Sequence, residues 1–282
     1  MTISYFVATL EDRLDWIDWS IAWYGILDNS LPMSWNLFLA LLPLALSCVL
    51  FHQPRSPIVH GGIWLLVCVL LLPNLDRLGP FAKLVVNRFG LIPLGSVIAI
   101  FLILIAIGCW KLGQKTMRSF FWWFGSLAFI LLLPNAGYIL TDVIHFVIDA
   151  RKGYPMGTIV AILLPQYLLF ITVGFQSYVA SLMNVGWFLE NRNWGAYVFS
   201  AELGIHALTA IGVYLGRFSR LNSWDVFTNL PKLLRDLQHT FSSEHALAVI
   251  ATLFGVLSVC YWLCKRINIG LLAQKEAFRA TI

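Results

Sequence analysis

The sequence is poor in charge: Asp, Glu, Lys and Arg together make 12% of its 282 residues, against about 25% in soluble domains. Such a chain cannot clothe its surface in polar groups, so water is excluded as the solvent for most of it. Also missing are a glycine-rich phosphate loop, a Gly-x-Ser-x-Gly nucleophile elbow and a His-Glu-x-x-His zinc motif. No long polar stretch offers a soluble domain for nucleotide-driven chemistry. The first ten residues hold no Lys or Arg, and no short apolar run is followed by a small-residue cleavage site, so no removable leader is expected. A net charge of +5 is ordinary for a membrane protein and gives no reason to expect nucleic acid. The five cysteines (Cys48, Cys68, Cys109, Cys260, Cys264) all lie in apolar blocks. They read as small buried apolar residues without disulfides; Cys260 and Cys264, one turn apart, have no second pair to complete a metal site.

Apolar residues make 59% of the chain, and mean hydropathy is +0.79. They come in blocks of about 16–20, long enough to cross a ~30 Å hydrocarbon core as helix. Blocks such as Leu91–Trp110 do not alternate as membrane strands must. The expected fold is an all-α, polytopic transmembrane bundle. About seven spans are expected, at Met33–Phe51, Ile58–Pro73, Leu91–Trp110, Phe120–Thr141, Gly157–Met183, Tyr197–Gly216 and His245–Cys264. Ahead of them, Leu10–Leu27 places Leu10, Leu14, Ile17 and Ile21 on one helical face, the pattern of an interfacial helix. The expected organisation is thus an N-terminal amphipathic segment, residues 1–32, and a transmembrane domain, residues 33–282.

Seven spans put nine Lys and Arg on one side and the other ten of 19 opposite, so the positive-inside count does not set orientation. Lys111, Lys115, Arg118, Lys265 and Arg266 hug span ends, which favours a cytoplasmic C-terminus. Parity is firmer: two spans separate the end of Phe120–Thr141 from the end of Tyr197–Gly216, so both ends face one compartment.

Chemistry-bearing residues cluster at those ends. Asn135, Tyr138, Asp142, His145 and Asp149 fall within an arc of roughly 80° at 3.6 residues per turn. A polar stripe three turns long does not belong against lipid. It reads either as interhelical hydrogen bonding or as a site, with Asp142 and His145 as catalytic base or metal ligands. After the sixth span, Arg217 and Arg220 stand at i, i+3 and suit bidentate phosphate or carboxylate binding, or simple snorkelling to the interface. Asn222, Trp224 and Asp225 follow; Asn222 and Asp225 read as an N-cap and first-turn acid for a helix. Inside the sixth span, Glu202 and His206 stand one turn apart. A charge there must be paired, wetted or neutralised, by His206 or by a polar residue of the fifth span, where Gln166, Gln176, Ser177, Ser181 and Asn184 lie. Helix glue and a proton relay both fit that pair. The small Ser177 and Ser181 suit close helix packing.

Three motifs in order carry a resemblance: Trp35-Asn36-Leu37-Phe38-Leu39-Ala40; Leu133-Pro134-Asn135 through Thr141-Asp142; and Tyr214-Leu215-Gly216-Arg217-Phe218 with Asn222-Ser223-Trp224-Asp225. They resemble a bacterial family of multi-pass membrane proteins known as domain of unknown function 1361, and Pro165-Gln166-Tyr167-Leu168-Leu169-Phe170 is similar to its cyanobacterial members. The resemblance covers Trp35–Phe51 and roughly Phe120 to the C-terminus. It implies membrane class and marks positions, and carries no activity. The family usually has Pro where this chain has Gly137, a departure that loosens the helix. Residues 56–118 look like an inserted two-span segment, whose Leu70-Leu71-Leu72-Pro73-Asn74 echoes Leu131-Leu132-Leu133-Pro134-Asn135.

From these readings the expected function is a non-enzymatic accessory or lipid- and anion-binding factor. Its polar pocket would lie on the non-cytoplasmic face of a bacterial inner membrane, or of a thylakoid. Membrane lipids and a membrane protein are the expected partners, with no cofactor and no metal. The alternatives are an enzyme acting on a lipid-linked substrate through Asp142 and His145, and a proton-coupled transporter using Glu202 and His206; the missing inverted repeat weighs against the transporter.

Overall fold

The computed structural model describes residues 19–51, 57–74, 120–220 and 230–280. Among these residues all regular elements are helical. Backbone polar groups in a bilayer must be satisfied within the segment, and runs of Leu, Ile, Val and Phe without alternation leave the helix as the way to do it. Helix α1 is Trp19–Leu50 and α2 is Pro57–Leu71. Helix α3, Phe120–Tyr138, passes through a 3₁₀ turn, Ile139–Asp142, into α4, Val143–Ala150. After a short entry turn and a π segment at Ile159–Leu163 come α5, Leu164–Glu190, and α6, Val198–Phe218. Helices α7, Leu230–Ser242, and α8, Glu244–Ala280, complete the described chain.

Five stretches are long and apolar enough to cross a membrane: Gly25–Leu50, Trp122–Ala150, Met156–Glu190, Gly195–Phe218 and Glu244–Gln274. They match five of the expected spans. Ile58–Pro73 corresponds to a shorter apolar helix, Gly61–Asn74, and Leu91–Trp110 lies outside the described residues. So does the first part of the expected interfacial segment; from Trp19 onward the chain is already in α1, which runs unbroken through residue 32.

Helix α1 is the hub, packing on α2, α3 and α5, while α6 packs on α3 and α8. The core gathers Ala40, Phe129, Leu133, Ala136, Ile139, Phe175, Tyr178, Leu182 and Leu257. Helix α2 adds its own seam, with Val67 and Leu71 against Phe38, Leu41 and Ala45. Only that face of α2 is covered, which is why Cys68, expected to be buried, is exposed; Cys48 is buried, and Cys260 and Cys264 are half-buried. All four are free.

Small residues set how close the spans come. A β-carbon at Gly137 would sit 2.6 Å from Thr209 Cγ2, and one at Gly212 would sit 2.6 Å from Pro134 Cγ. At Gly174 it would run into Ile139 Cδ1. Gly137 therefore does more than loosen its helix: it lets α3 and α6 touch. Ser177 Oγ donates to Ala40 O at 2.9 Å, and Asn184 Nδ2 to Ser47 Oγ at 2.9 Å. The small polar face of α5 is thus spent on α1, the packing role its spacing suggested. The π segment before Pro165 has a physical cause: proline has no N–H for Ala161 O and its ring crowds that carbonyl, and a wider turn relieves both.

Candidate functional site

The contact between α3 and α6 places the next turn of each helix side by side. On one side stand Tyr138, Asp142 and His145, spaced so that helix and 3₁₀ turn present them to a common neighbour. On the other stands Arg217, in the last turn of α6, where a cation also suits the negative end of the helix dipole. Arg217 Nη1 donates to Tyr138 Oη at 2.6 Å and lies 3.1 Å from His145 Nε2. Its guanidinium carbon stands 5.3 Å from the centre of the Tyr138 ring, a cation–π distance. Asp142 Oδ1 lies 3.6 Å from Nη1 and 3.7 Å from His145 Nε2. From α1, Asn36 Nδ2 donates to Asp142 Oδ2 at 3.2 Å.

Exposure is graded across the cluster. The side chain of Asp142 is 4% exposed, Arg217 16% and His145 49%. Asp142 Oδ1 is buried and has no hydrogen-bond partner among the described residues, so within them its carboxylate rests on one amide and on the nearby guanidinium. A buried carboxylate so thinly partnered is costly for stability alone.

Not every expected residue joins. Asn135 Nδ2 donates to Leu132 O at 2.8 Å, on its own helix. Asp149 lies further along and is engaged there, accepting from Tyr167 Oη at 2.5 Å and pairing with Lys152 Nζ at 2.8 Å. Arg220 corrects the expectation of a shared helical face with Arg217. Helix α6 ends at Phe218, and Arg220 sits beyond it in left-handed backbone (φ 51°), exposed. Asn222, Trp224 and Asp225 lie outside the described residues. Asn36, present in the sequence only as part of a motif, is the residue that site reasoning missed. An amide facing the middle of an otherwise apolar span was its signal.

A second polar cluster lies toward the other end of α6. Glu202 Oε1 accepts from Tyr261 Oη and Lys265 Nζ, both at 2.5 Å and both on α8. His206 meets Tyr178 of α5 instead, Nδ1 to Oη 2.6 Å, and packs edge-on against the Tyr261 ring at 4.7 Å. Glu202 is therefore paired, but neither with His206 nor with the fifth span, the two partners its spacing suggested. The reason is geometric: α8 packs along α6 and brings a lysine and a phenol to the same level. Tyr261, Lys265 and Asn268, at i, i+4 and i+7, share one face of α8, and that periodicity was legible. Gln176 Nε2 donates to Asn268 Oδ1 at 2.7 Å, tying α5 to the same face.

Among the described residues, no three His, Cys, Asp or Glu side chains gather in a way that would hold a metal. No curated protein and no solved structure matches the chain. One family model does, described as protein of unknown function (DUF1361), over residues 94–259. The match takes in α3 to α7 and the first part of α8, with the Tyr138, Asp142, His145, Arg217 and Glu202 positions, while Tyr261 and Lys265 lie beyond it. It begins within the segment that looked inserted and leaves Trp35–Ala40 outside. Because it spans more than half of an all-helical chain whose helices suit a membrane, the chain belongs to the DUF1361 family of proteins of unknown function.

Proposed function

We propose that this is a non-enzymatic membrane factor that binds an acidic lipid headgroup at the face where Arg217 emerges. The supporting observation is the state of that guanidinium. Both protons of Nη1 are directed at Tyr138 and His145, while Nη2 and Nε have no partner among the described residues. Asp142 and the Tyr138 ring steer the group, leaving one edge for a phosphate, which an arginine fork matches in bidentate fashion. The half-exposed His145 stands beside that edge as a second contact. The compartment is the non-cytoplasmic side of a bacterial inner membrane or thylakoid if the C-terminus is cytoplasmic.

The test is binding of phosphatidylglycerol against phosphatidylcholine to the purified full chain, read by native mass spectrometry. Preferential retention of the acidic lipid is expected, weakened about tenfold in Arg217→Gln, the loss of one charge-assisted contact of ~1.4 kcal/mol. Equal retention of both lipids, or no effect of the substitution, overturns the reading.

One observation favours a second reading. Asp142 Oδ1 has no hydrogen-bond partner among the described residues and lies 3.7 Å from the imidazole of a half-exposed histidine, an arrangement that a proton-transferring pair in a lipid-modifying enzyme would also use. That reading requires turnover of a lipid-linked substrate lost in both Asp142→Asn and His145→Ala. The transporter reading gains no comparable support, because the Glu202 carboxylate is occupied by Lys265 and Tyr261.

A further inference from the structure

Helix α7 divides its surface three ways. At 100° per residue, Asp236, Leu233, Leu237 and Thr240 fall on one side, about 240–340°. These residues are half-buried or, for Thr240, fully buried, and the helix packs against α8. The adjoining arc, about 0–40°, carries Leu230, Leu234 and Phe241, which are 49%, 57% and 53% exposed. The remaining arc is polar, with Lys232, Arg235, Gln238 and His239, all exposed. A helix that is anchored on one side, greasy on the second and basic on the third has the pattern of an in-plane membrane helix.

Its tethering fixes where it can lie. A single residue, Ser243, separates the end of α7 from Glu244, where the last span begins. Ser243 Oγ accepts from Ala246 N at 3.4 Å, which caps the start of α8 and fixes the turn. The C-terminal end of helix α7 is therefore held at the membrane boundary, beside the span it packs on. The helix follows the span that ends at Phe218 and so sits on the same face as Arg217. The lipid-facing surface of α8 starts beside it, with Leu247 42% exposed. A water-facing arc of two leucines and a phenylalanine would be an aggregation liability; a bilayer at that level removes it.

We propose that α7 lies flat in the lipid interface, with Leu230, Leu234 and Phe241 at the acyl-chain boundary and Lys232, Arg235 and His239 among headgroups and water. The occupant of the apolar arc is the lipid leaflet itself. The two exposed cations face one acid on this helix, Asp236, so burial of apolar surface rather than charge drives the contact.

The experiment places nitroxide labels singly at Leu234, Phe241, Arg235 and His239 of a full-length chain with its five cysteines replaced, in phosphatidylethanolamine–phosphatidylglycerol vesicles. Collision with oxygen and with a water-soluble nickel chelate is measured at each site. Oxygen is expected to dominate at Leu234 and Phe241, and the nickel chelate at Arg235 and His239. Nickel access at all four sites, a helix in water, overturns the proposal. So does a label at Leu234 or Phe241 shielded from both reagents, which means that protein covers the arc. In the native-cysteine chain, p-benzoylphenylalanine replacing Phe241 gives an independent reading: crosslinks to phospholipid support the proposal and crosslinks to protein alone refute it.

Discussion

Helix α6 carries a polar cluster near each end, and the two are built to different standards. At the Glu202 end the carboxylate accepts two short bonds from α8, His206 finds Tyr178, and the rings of Tyr178, Tyr261 and His206 pack on one another. At the Arg217 end, among the described residues, a buried carboxylate oxygen is left without a hydrogen bond, an imidazole is half exposed and one guanidinium edge has no partner. The positions are about 22 Å apart along the same helix. Polar residues whose needs are met inside the protein act as glue; those left with unmet capacity at a membrane face have it available for a ligand. The comparison makes the first cluster structural and the second the binding candidate.

Substitutions can break that contrast, beginning with the largest effect. Glu202→Ala strands Lys265 inside a span and is expected to cost about 3 kcal/mol, read as a lowered unfolding midpoint in detergent. Replacing the pair together, Glu202→Gln with Lys265→Met, is expected to recover most of that loss, because both charges leave at once. Overpacking the helix contact comes next. Gly212→Ala, pushed against Pro134, is expected to cost about 1–3 kcal/mol and, by parting α3 from α6, to weaken acidic-lipid retention too. Arg217→Gln reverses the profile. Unfolding changes by about 1 kcal/mol, while retention of phosphatidylglycerol weakens about tenfold. The smallest effect belongs to Tyr167→Phe, which deletes one bond to Asp149. It should cost about 1 kcal/mol with lipid preference intact, since Asp149 belongs to neither cluster.

Much of this was legible in the sequence. Charge-poor blocks gave the spans, and helical periodicity put Tyr138, Asp142 and His145 on one stripe. The count of spans between them brought the ends carrying Asp142 and Arg217 to one face, and the structure sets those side chains 3.6 Å apart. Pairing across distant segments was less legible. Lys265 is 63 residues from Glu202, and no local period reports which helix packs on which. The left-handed residue at Arg220 was hidden because an i, i+3 spacing assumes that the helix continues. Gly137 looked like a flexible point and proved to be a contact, a distinction that depends on Thr209 of another span.

The most direct measurement is the difference in unfolding midpoint between phosphatidylglycerol and phosphatidylcholine nanodiscs, compared for the unaltered chain, Arg217→Gln and the Glu202→Gln, Lys265→Met pair. Stabilisation by the acidic lipid should appear in the unaltered chain and in the double variant, and weaken in Arg217→Gln. Equal stabilisation in all three proteins would show that the open guanidinium is not where the headgroup binds.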